Sequence, residues 1–290
     1  MKLAAVDIGT NSMRLLIVHH IGGGLVELGR WQRVTALGSG VDSTGMLAEE
    51  AVDRTLLALA EFGGRMEQLE VTRRRAVATS ASRDAANRGA FFDRAEIALG
   101  VRPDLITGDE EARLAFAGAT YGLASPPPIV VIDIGGGSTE FVTVDGGRSV
   151  DIGSVRLTER VLVHRPSLPE ELAAAREMVE QHLTGITSME GTVIGVAGTW
   201  TSLAGIHLES EEVHLTELTA GDVAGLVGKL AALTIEETAD LPGFDSARAP
   251  VILAGAIIAE GAMAALAAER ILTSNHDLLD GVVQQLVDSP

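Results

Sequence analysis

Residues 4–18 read AAVDIGTNSMRLLIV, and residues 130–144 read VVIDIGGGSTEFVTV. Aligned without a gap, each copy runs from an apolar strand through Asp-Ile-Gly, two small or polar residues and a Ser into a second apolar strand. Asp7 pairs with Asp133, Gly9 with Gly135 and Ser12 with Ser138. A strand-turn-strand of this kind places an acid and a row of backbone N–H groups at one tight turn. Two copies in two half-chains predict two similarly built domains, with a cleft between them that holds phosphate and a metal.

Length fits that expectation. A chain of 290 residues exceeds the usual single-domain size, so two domains are expected, at 1–124 and 128–290. Ser125-Pro126-Pro127-Pro128 is the linker between them, because Pro cannot continue a helix and stiffens an extended connection. The absence of cysteine excludes disulfides and thiolate metal sites. No signal-peptide pattern precedes Asp7, so the expected compartment is the cytoplasm. Val251–Ala268 is the longest apolar region, but Glu260 at its middle would cost about 2.5–3.5 kcal/mol at a bilayer centre. It is read as a buried helix, and no membrane partner is expected.

A formal net charge of −18 excludes a nucleic-acid polymer as partner, since that needs a basic footprint. Positive charge is nevertheless concentrated: Arg73 to Arg102 holds seven Arg against three acids. This run is either a solvated basic face or a guide for a small polyanion.

Alternation of strands and helices after an initial meander in each half indicates α/β layers. In the first half, strands are expected at 3–8, 13–20 and 25–35, a helix at 48–68, a strand at 76–79 entering a helix near Ser82, then strand 103–106 and helix 110–118. In the second half, the repeated strand-turn-strand precedes strand 149–153 and a helix at 169–182 opened by a Ser167-x-x-Glu170 capping box. Strand 192–197, helices from Gly198 and near 220–233, 248–268 and 278–287, and a short strand at 270–273 follow.

In the second loop, Gly135, Gly136 and Gly137 let backbone N–H groups line one concavity, and Ser138 adds a hydroxyl. Asp133 and Glu140 flank the turn as hard oxygen ligands suited to Mg²⁺. In the first loop, Thr10, Asn11 and Ser12 supply donors. Arg14 is either a phosphate contact or a salt-bridged strand residue. GDEEARLAFAG places Asp109, Glu110 and Glu111 at a helix start. Acids there favour the helix dipole, with Thr107-x-x-Glu110 as a capping box; alternatively Glu111 is a general base aimed at water beside the phosphate. Gly195-Val196-Ala197-Gly198-Thr199 is a third glycine-bearing turn, from strand to helix.

DIGTNSMRLLIV, GDEEARLAFAGA, VVIDIGGGSTEFV, SVRLTER, GVAGTWTSLA and TSNHDLLDGVV together resemble, in this order and over the whole chain, the Ppx/GppA phosphatases. That family contains exopolyphosphatases and guanosine pentaphosphate phosphohydrolases. The resemblance implies two actin-like (ribonuclease H-like) α/β domains with a cleft between them, and hydrolysis of a terminal phosphoanhydride. The implied substrate is inorganic polyphosphate, with guanosine pentaphosphate as the alternative; the implied cofactor is Mg²⁺ or another divalent cation such as Mn²⁺, and the implied assembly a homodimer. By the same resemblance Glu111 matches the catalytic base, Asp133 and Glu140 the metal-holding acids, and Thr10, Asn11 and Ser12 the first phosphate loop. Gly135 to Ser138 match the second loop, Gly198 and Thr199 the third, and Arg83 an arginine of the substrate channel. The family's Gly-Leu-Arg-Glu-Gly near the last helix reads Asp277-Leu278-Leu279-Asp280-Gly281 here, without the Arg and with a shorter acid. The length matches the short two-domain form; long members continue into an HD-type helical region. Rival readings are an ATP-dependent kinase or ATPase of the same superfamily, and a non-catalytic phosphate or nucleotide sensor.

Overall fold

A computed structural model describes residues 1–123, 128–187 and 191–288. Of the expected linker, Ser125, Pro126 and Pro127 lie outside the described residues. The chain forms two compact units, Met1–Tyr121 with Asp277–Pro290, and Gly122–His276.

The first unit begins with the meander β1 (Lys2–Ile8), β2 (Ser12–Ile21) and β3 (Gly24–Val34), followed by α1 (Val41–Thr44) and α2 (Glu49–Gln68). Next come β4 (Arg73–Ala78), α3 (Ser80–Asp84), α4 (Arg88–Leu99), the two-residue β5 (Asp104–Leu105) and α5 (Gly108–Thr120). Where one helix is expected from Ser82, the chain makes two. Between them the Asn87 side chain is bound to Leu47, its Oδ1 accepting from the Leu47 N–H and its Nδ2 donating to the Leu47 carbonyl, both at 2.9 Å.

The second unit repeats the meander as β6 (Ile129–Ile134), β7 (Thr139–Thr143) and β8 (Gly146–Val150), then α6 (Ser154–Val161), α7 (Pro169–His182), β9 (Thr192–Val196) and α8 (Ala197–Leu208). It continues with β10 (Thr216–Thr219), α9 (Ala220–Ala231), α10 (Ile235–Ala239), α11 (Ile252–Leu266) and β11 (Arg270–Thr273). The α7 cap differs from the expected Ser167–Glu170 pair. Glu171 accepts the Leu168 N–H at 3.2 Å, while the Ser167 hydroxyl turns back to the His164 carbonyl. Pro169 takes the first helical position, so the helix runs over 169–182 as expected while its N-cap is Leu168 instead of Ser167.

The duplication extends to topology. The first sheet is ordered β3-β2-β1-β4-β5, and the second, read from its far end, β8-β7-β6-β9-β11 with β10 added. β1 pairs antiparallel with β2 and parallel with β4; β6 pairs antiparallel with β7 and parallel with β9. This is the α/β class expected, in two sheets.

Period-two alternation divides the first sheet into two buried faces. Ala4, Val6, Ile8, Met13, Leu15 and Ile17 join one cluster with residues of α2 and α4, while Leu3, Ala5, Leu16 and Val18 join another. That second face is closed by α5 and by α12 (Leu278–Asp288), which returns from the far end of the sequence. Leu278, Leu279, Val282 and Val283 are all buried there, each worth roughly 1.5–3 kcal/mol relative to exposure. Residues 277–288 therefore pack with the first unit, although sequence order groups them with the second.

α11 is the apolar segment around Glu260. It is buried on most sides, and Glu260 pairs with Arg176 at 2.8 Å. No helix among the described residues is long and apolar enough to cross a membrane.

Candidate active site

In the first unit, Gly9 closes the β1–β2 turn by donating its N–H to the Ser12 carbonyl at 3.1 Å. A Cβ on Gly9 would lie 2.9 Å from that oxygen, so the turn needs glycine. The loop is held from behind. The Thr10 carbonyl accepts from Gly38, and the Asn11 carbonyl from Thr35 and Ala36, at 2.8–3.0 Å. In a trans peptide the N–H points opposite to the C=O, so the amides of Asn11 and Ser12 are directed away from this support. The Thr10 hydroxyl accepts from the Ala81 N–H, linking the loop to α3. Asp7 Oδ1, Asn11 Nδ2 and Ser82 Oγ are buried without a hydrogen-bond partner among the described residues. Polar atoms buried in this way call for a partner from outside the chain.

Arg14 lies directly across the ladder from Asp7 and grips its Oδ2 through Nε (2.9 Å) and Nη2 (2.7 Å). Its Nη1 bonds Asp277. Arg14 is thus salt-bridged, with two carboxylates about one guanidinium.

The three acids at the start of α5 separate by environment. Asp109 is exposed. Glu110 pairs with Arg75 at 2.9 Å, and its N–H is capped by the Thr107 hydroxyl. Glu111 is turned inward, only 8% exposed, and its Oε2 meets Arg83 Nη1 at 2.6 Å. Arg83 is itself fixed by the Ile106 carbonyl. Burial raises the Glu111 carboxyl above its ordinary range; Arg83 opposes that rise, Asp7 adds to it and Arg14 reduces it. Glu111, Arg83, Asp7 and Arg14 therefore share one electrostatic environment. Three of the seven arginines of the basic run pair with other acids: Arg75 with Asp104 and Glu110, Arg94 with Glu49 and Asp53, and Arg102 with Asp93 and Glu96.

In the second unit, Gly135 closes the β6–β7 turn onto the Ser138 carbonyl at 3.0 Å, as Gly9 does in the first. The N-terminus of α6 supports this loop: Ser154 N–H donates to the Gly135 carbonyl, and the Val155 and Arg156 N–H groups to that of Gly136, at 2.9–3.1 Å. Arg156 Nε adds a bond to the Gly137 carbonyl at 2.9 Å. With three successive carbonyls turned to α6, the N–H groups of Gly136, Gly137 and Ser138 are directed to the opposite side, an arrangement suited to an anion. A Cβ at Gly153 would fall 2.4 Å from the Gly136 carbonyl carbon, so α6 approaches this closely only with glycine there. The SVRLTER segment is thus the brace of the loop.

Asp133 and Glu140 are cross-strand partners, both buried, with the Ser149 hydroxyl donating to Glu140 Oε1 at 2.7 Å. Directly opposed residues on antiparallel strands project from the same face with Cβ atoms roughly 4.5–5.5 Å apart, and like charges so placed repel. Where the first unit sets Arg14 opposite its Asp, the second sets a second acid. No group of three or more His, Cys, Asp or Glu suited to a metal occurs among the described residues. A two-carboxylate set fits Mg²⁺, which draws its remaining ligands from water and phosphate.

The third turn lies beside the second loop. Thr199 donates its hydroxyl to the carbonyl of Ile134, at the end of β6, at 3.0 Å. A Cβ on Gly198 would collide with the buried guanidinium of Arg248. Sequence reasoning missed Arg248, Arg156 and Asp277; the visible signal for Arg248 was a lone cation at the head of an otherwise apolar helix.

The Ppx/GppA phosphatase family matches residues 16–289. The chain is 37% identical to Exopolyphosphatase 2 of Mycobacterium tuberculosis, over 98% of each. It superposes on the crystal structure of an exopolyphosphatase-like protein with a TM-score of 0.92 at 35% identity, covering 99% of this chain and 98% of the other. A Ppx/GppA family member of Aquifex aeolicus superposes with a TM-score of 0.82 at 31% identity, covering 99% and 97%. Family match and near-full-length similarity lead to one conclusion: the chain belongs to the Ppx/GppA phosphatase family.

Proposed function

We propose that the protein is a phosphoanhydride hydrolase of the exopolyphosphatase type, releasing orthophosphate from the end of inorganic polyphosphate. The observation that carries this reading is the inward, buried Glu111, its carboxyl raised by burial and held by Arg83. A carboxylate in that state is a competent general base closer to neutrality than an exposed one. The similarity to Exopolyphosphatase 2 supports the same substrate class.

Glu111 orients a water and accepts its proton as the water oxygen forms a bond to the terminal phosphorus. The bridging P–O bond breaks, and its electron pair leaves with the shortened chain. Arg83 keeps the carboxylate in place and offers a guanidinium to the passing phosphates. Each unit by itself offers loop amides suited to phosphate oxygens: those of Asn11 and Ser12, with Thr10, in the first, and those of Gly136, Gly137 and Ser138, with Gly135, Gly198 and Thr199, in the second. Such fixed dipoles stabilise charge that grows in the transition state. Asp133 and Glu140 would hold Mg²⁺ or Mn²⁺, which would supply positive charge to phosphate bound at their loop. We place Arg14 behind the first loop, since its guanidinium already meets two carboxylates.

Phosphate release should be measured from long polyphosphate, guanosine pentaphosphate and ATP side by side, each with Mg²⁺. Polyphosphate is expected to be turned over fastest, and Glu111→Gln to lower kcat by at least about 100-fold. Release from ATP alone refutes the assignment; a fully active Glu111→Gln refutes the base. Because the base must be deprotonated, kcat is expected to fall as pH drops through the raised Glu111 pKa.

A further inference from the structure

The chain re-enters the first unit at Asp277, and this residue meets three things at once. Its Oδ2 bonds Arg14 Nη1. Its Oδ1 accepts the Leu279 N–H at 2.9 Å, capping α12, and lies 3.9 Å from Arg30 Nη1. Its carbonyl is pressed against α5, where a Cβ on Gly118 would approach to 1.8 Å. Arg30 continues the chain of charges to Asp280, at 2.9 and 3.1 Å, and Asp280 in turn accepts the Asp277 N–H at 2.9 Å. The segment therefore joins α5, which carries Glu111 in its first turn, to the Arg14–Asp7 pair at the first loop.

We propose that Asp277 is a positioning residue for the hydrolytic step: it fixes Arg14 against Asp7 and so sets the charge environment and placement of Glu111. This rests on the reading of Glu111 as base. Asp277 touches no reacting group. The groups whose charge bears on Glu111 are Arg83, Asp7 and Arg14, and Asp277 acts on the last two. Without it the cluster loses one carboxylate. Arg14 then presents more positive charge to Glu111, which lowers the Glu111 pKa, while Arg14 and the first loop lose an anchor.

The test compares the full-length wild type with Asp277→Ser, which can still cap α12 but cannot reach Arg14 as an anion, and with Asp277→Glu, which restores the charge. Steady-state kinetics on polyphosphate with Mg²⁺ are expected to show kcat reduced about 10- to 100-fold in the Ser variant, with KM within about twofold. The acid limb of its kcat profile is expected to move to lower pH, and Glu111 observed by ¹³C-carboxyl NMR to titrate at lower pH. Asp277→Glu should recover most of kcat and return both profiles. Unchanged kcat and unchanged Glu111 titration in the Ser variant overturn the proposal. So does equal loss in the Ser and Glu variants, which would mark a purely structural role. Should Ser prevent folding, Asp277→Asn replaces it with the same expectations. A wild type that releases no phosphate from polyphosphate defeats the functional reading instead, and the ¹³C titration then decides the role of Asp277 by itself.

Discussion

Substituting Gly281 by Ala sets helix propensity against packing, and the two give opposite signs. Gly281 lies in α12, where propensity alone favours Ala by about 1 kcal/mol. A Cβ there would stand 2.0 Å from the Leu114 carbonyl oxygen, 2.7 Å from its carbon and 3.0 Å from its Cα. All three are backbone atoms of α5, so no rotamer change relieves the clash; the helices must separate by roughly 1 Å or more to restore ordinary contact. Overpacking of this kind costs typically about 1–3 kcal/mol, and a clash with three backbone atoms belongs at the upper end, so after subtracting the propensity gain the net expectation is destabilisation by about 2 kcal/mol. Gly228→Ala in α9 is the matched control: nothing lies within 4 Å of its added Cβ. There propensity acts unopposed, and stabilisation by about 0.5–1 kcal/mol is expected. Equilibrium urea denaturation by circular dichroism measures both, and hydrogen exchange of peptides from α5 and α12 localises the effect. A Gly281→Ala protein as stable as wild type, with unaltered exchange in those helices, refutes the close packing described here. The same separation would draw Asp277 from Arg14, so turnover should fall in this variant and not in the control.

Two further outcomes follow from the charge arrangement. Mg²⁺ at about ten times its Kd should stabilise the wild type by about 1.4 kcal/mol, and Glu140→Gln should abolish most of that increment by removing one of the two opposed carboxylates; a full increment in the variant excludes Glu140 from the metal site. Arg94→Ala and Arg102→Ala, whose guanidiniums meet only surface acids, should leave kcat and KM for polyphosphate within about twofold of wild type, since exposed pairs contribute little; a large rise in KM would return the basic run to the substrate path.

Particular elements show how far the residues alone could carry the reading. The DIG repeat gave two sheets because its pattern is local: apolar alternation, an acid, then glycines at a turn. Its asymmetry was legible too, since Arg14 and Glu140 occupy matching places. What it meant was not, because register decides that Asp7 faces Arg14 and Asp133 faces Glu140 across a ladder. The acids of GDEEAR offered two readings, helix dipole or base. The fold separates the residues: Thr107 caps Glu110, while Glu111 turns into the interior, the disposition that the proposed base requires. The break at Asn87, the shifted cap at Leu168 and the strand β10 escaped notice because each is fixed by a contact distant in sequence or by a one-residue choice of start.

The altered DLLDG segment is the sharpest case. By sequence it lacks a cation and shortens an acid; in the fold Arg30 arrives from β3 to supply the cation, and Leu279 is core. The sequence alone determined the α/β class, the paired glycine-bearing turns and the family, because those depend on motifs written contiguously. Only tertiary structure decided that α12 belongs with the first unit and that Arg14 is shared between Asp7 and Asp277. The reason is physical: an apolar sheet face needs covering whichever part of the chain provides the cover, and a half-buried guanidinium takes the carboxylates that packing brings to it.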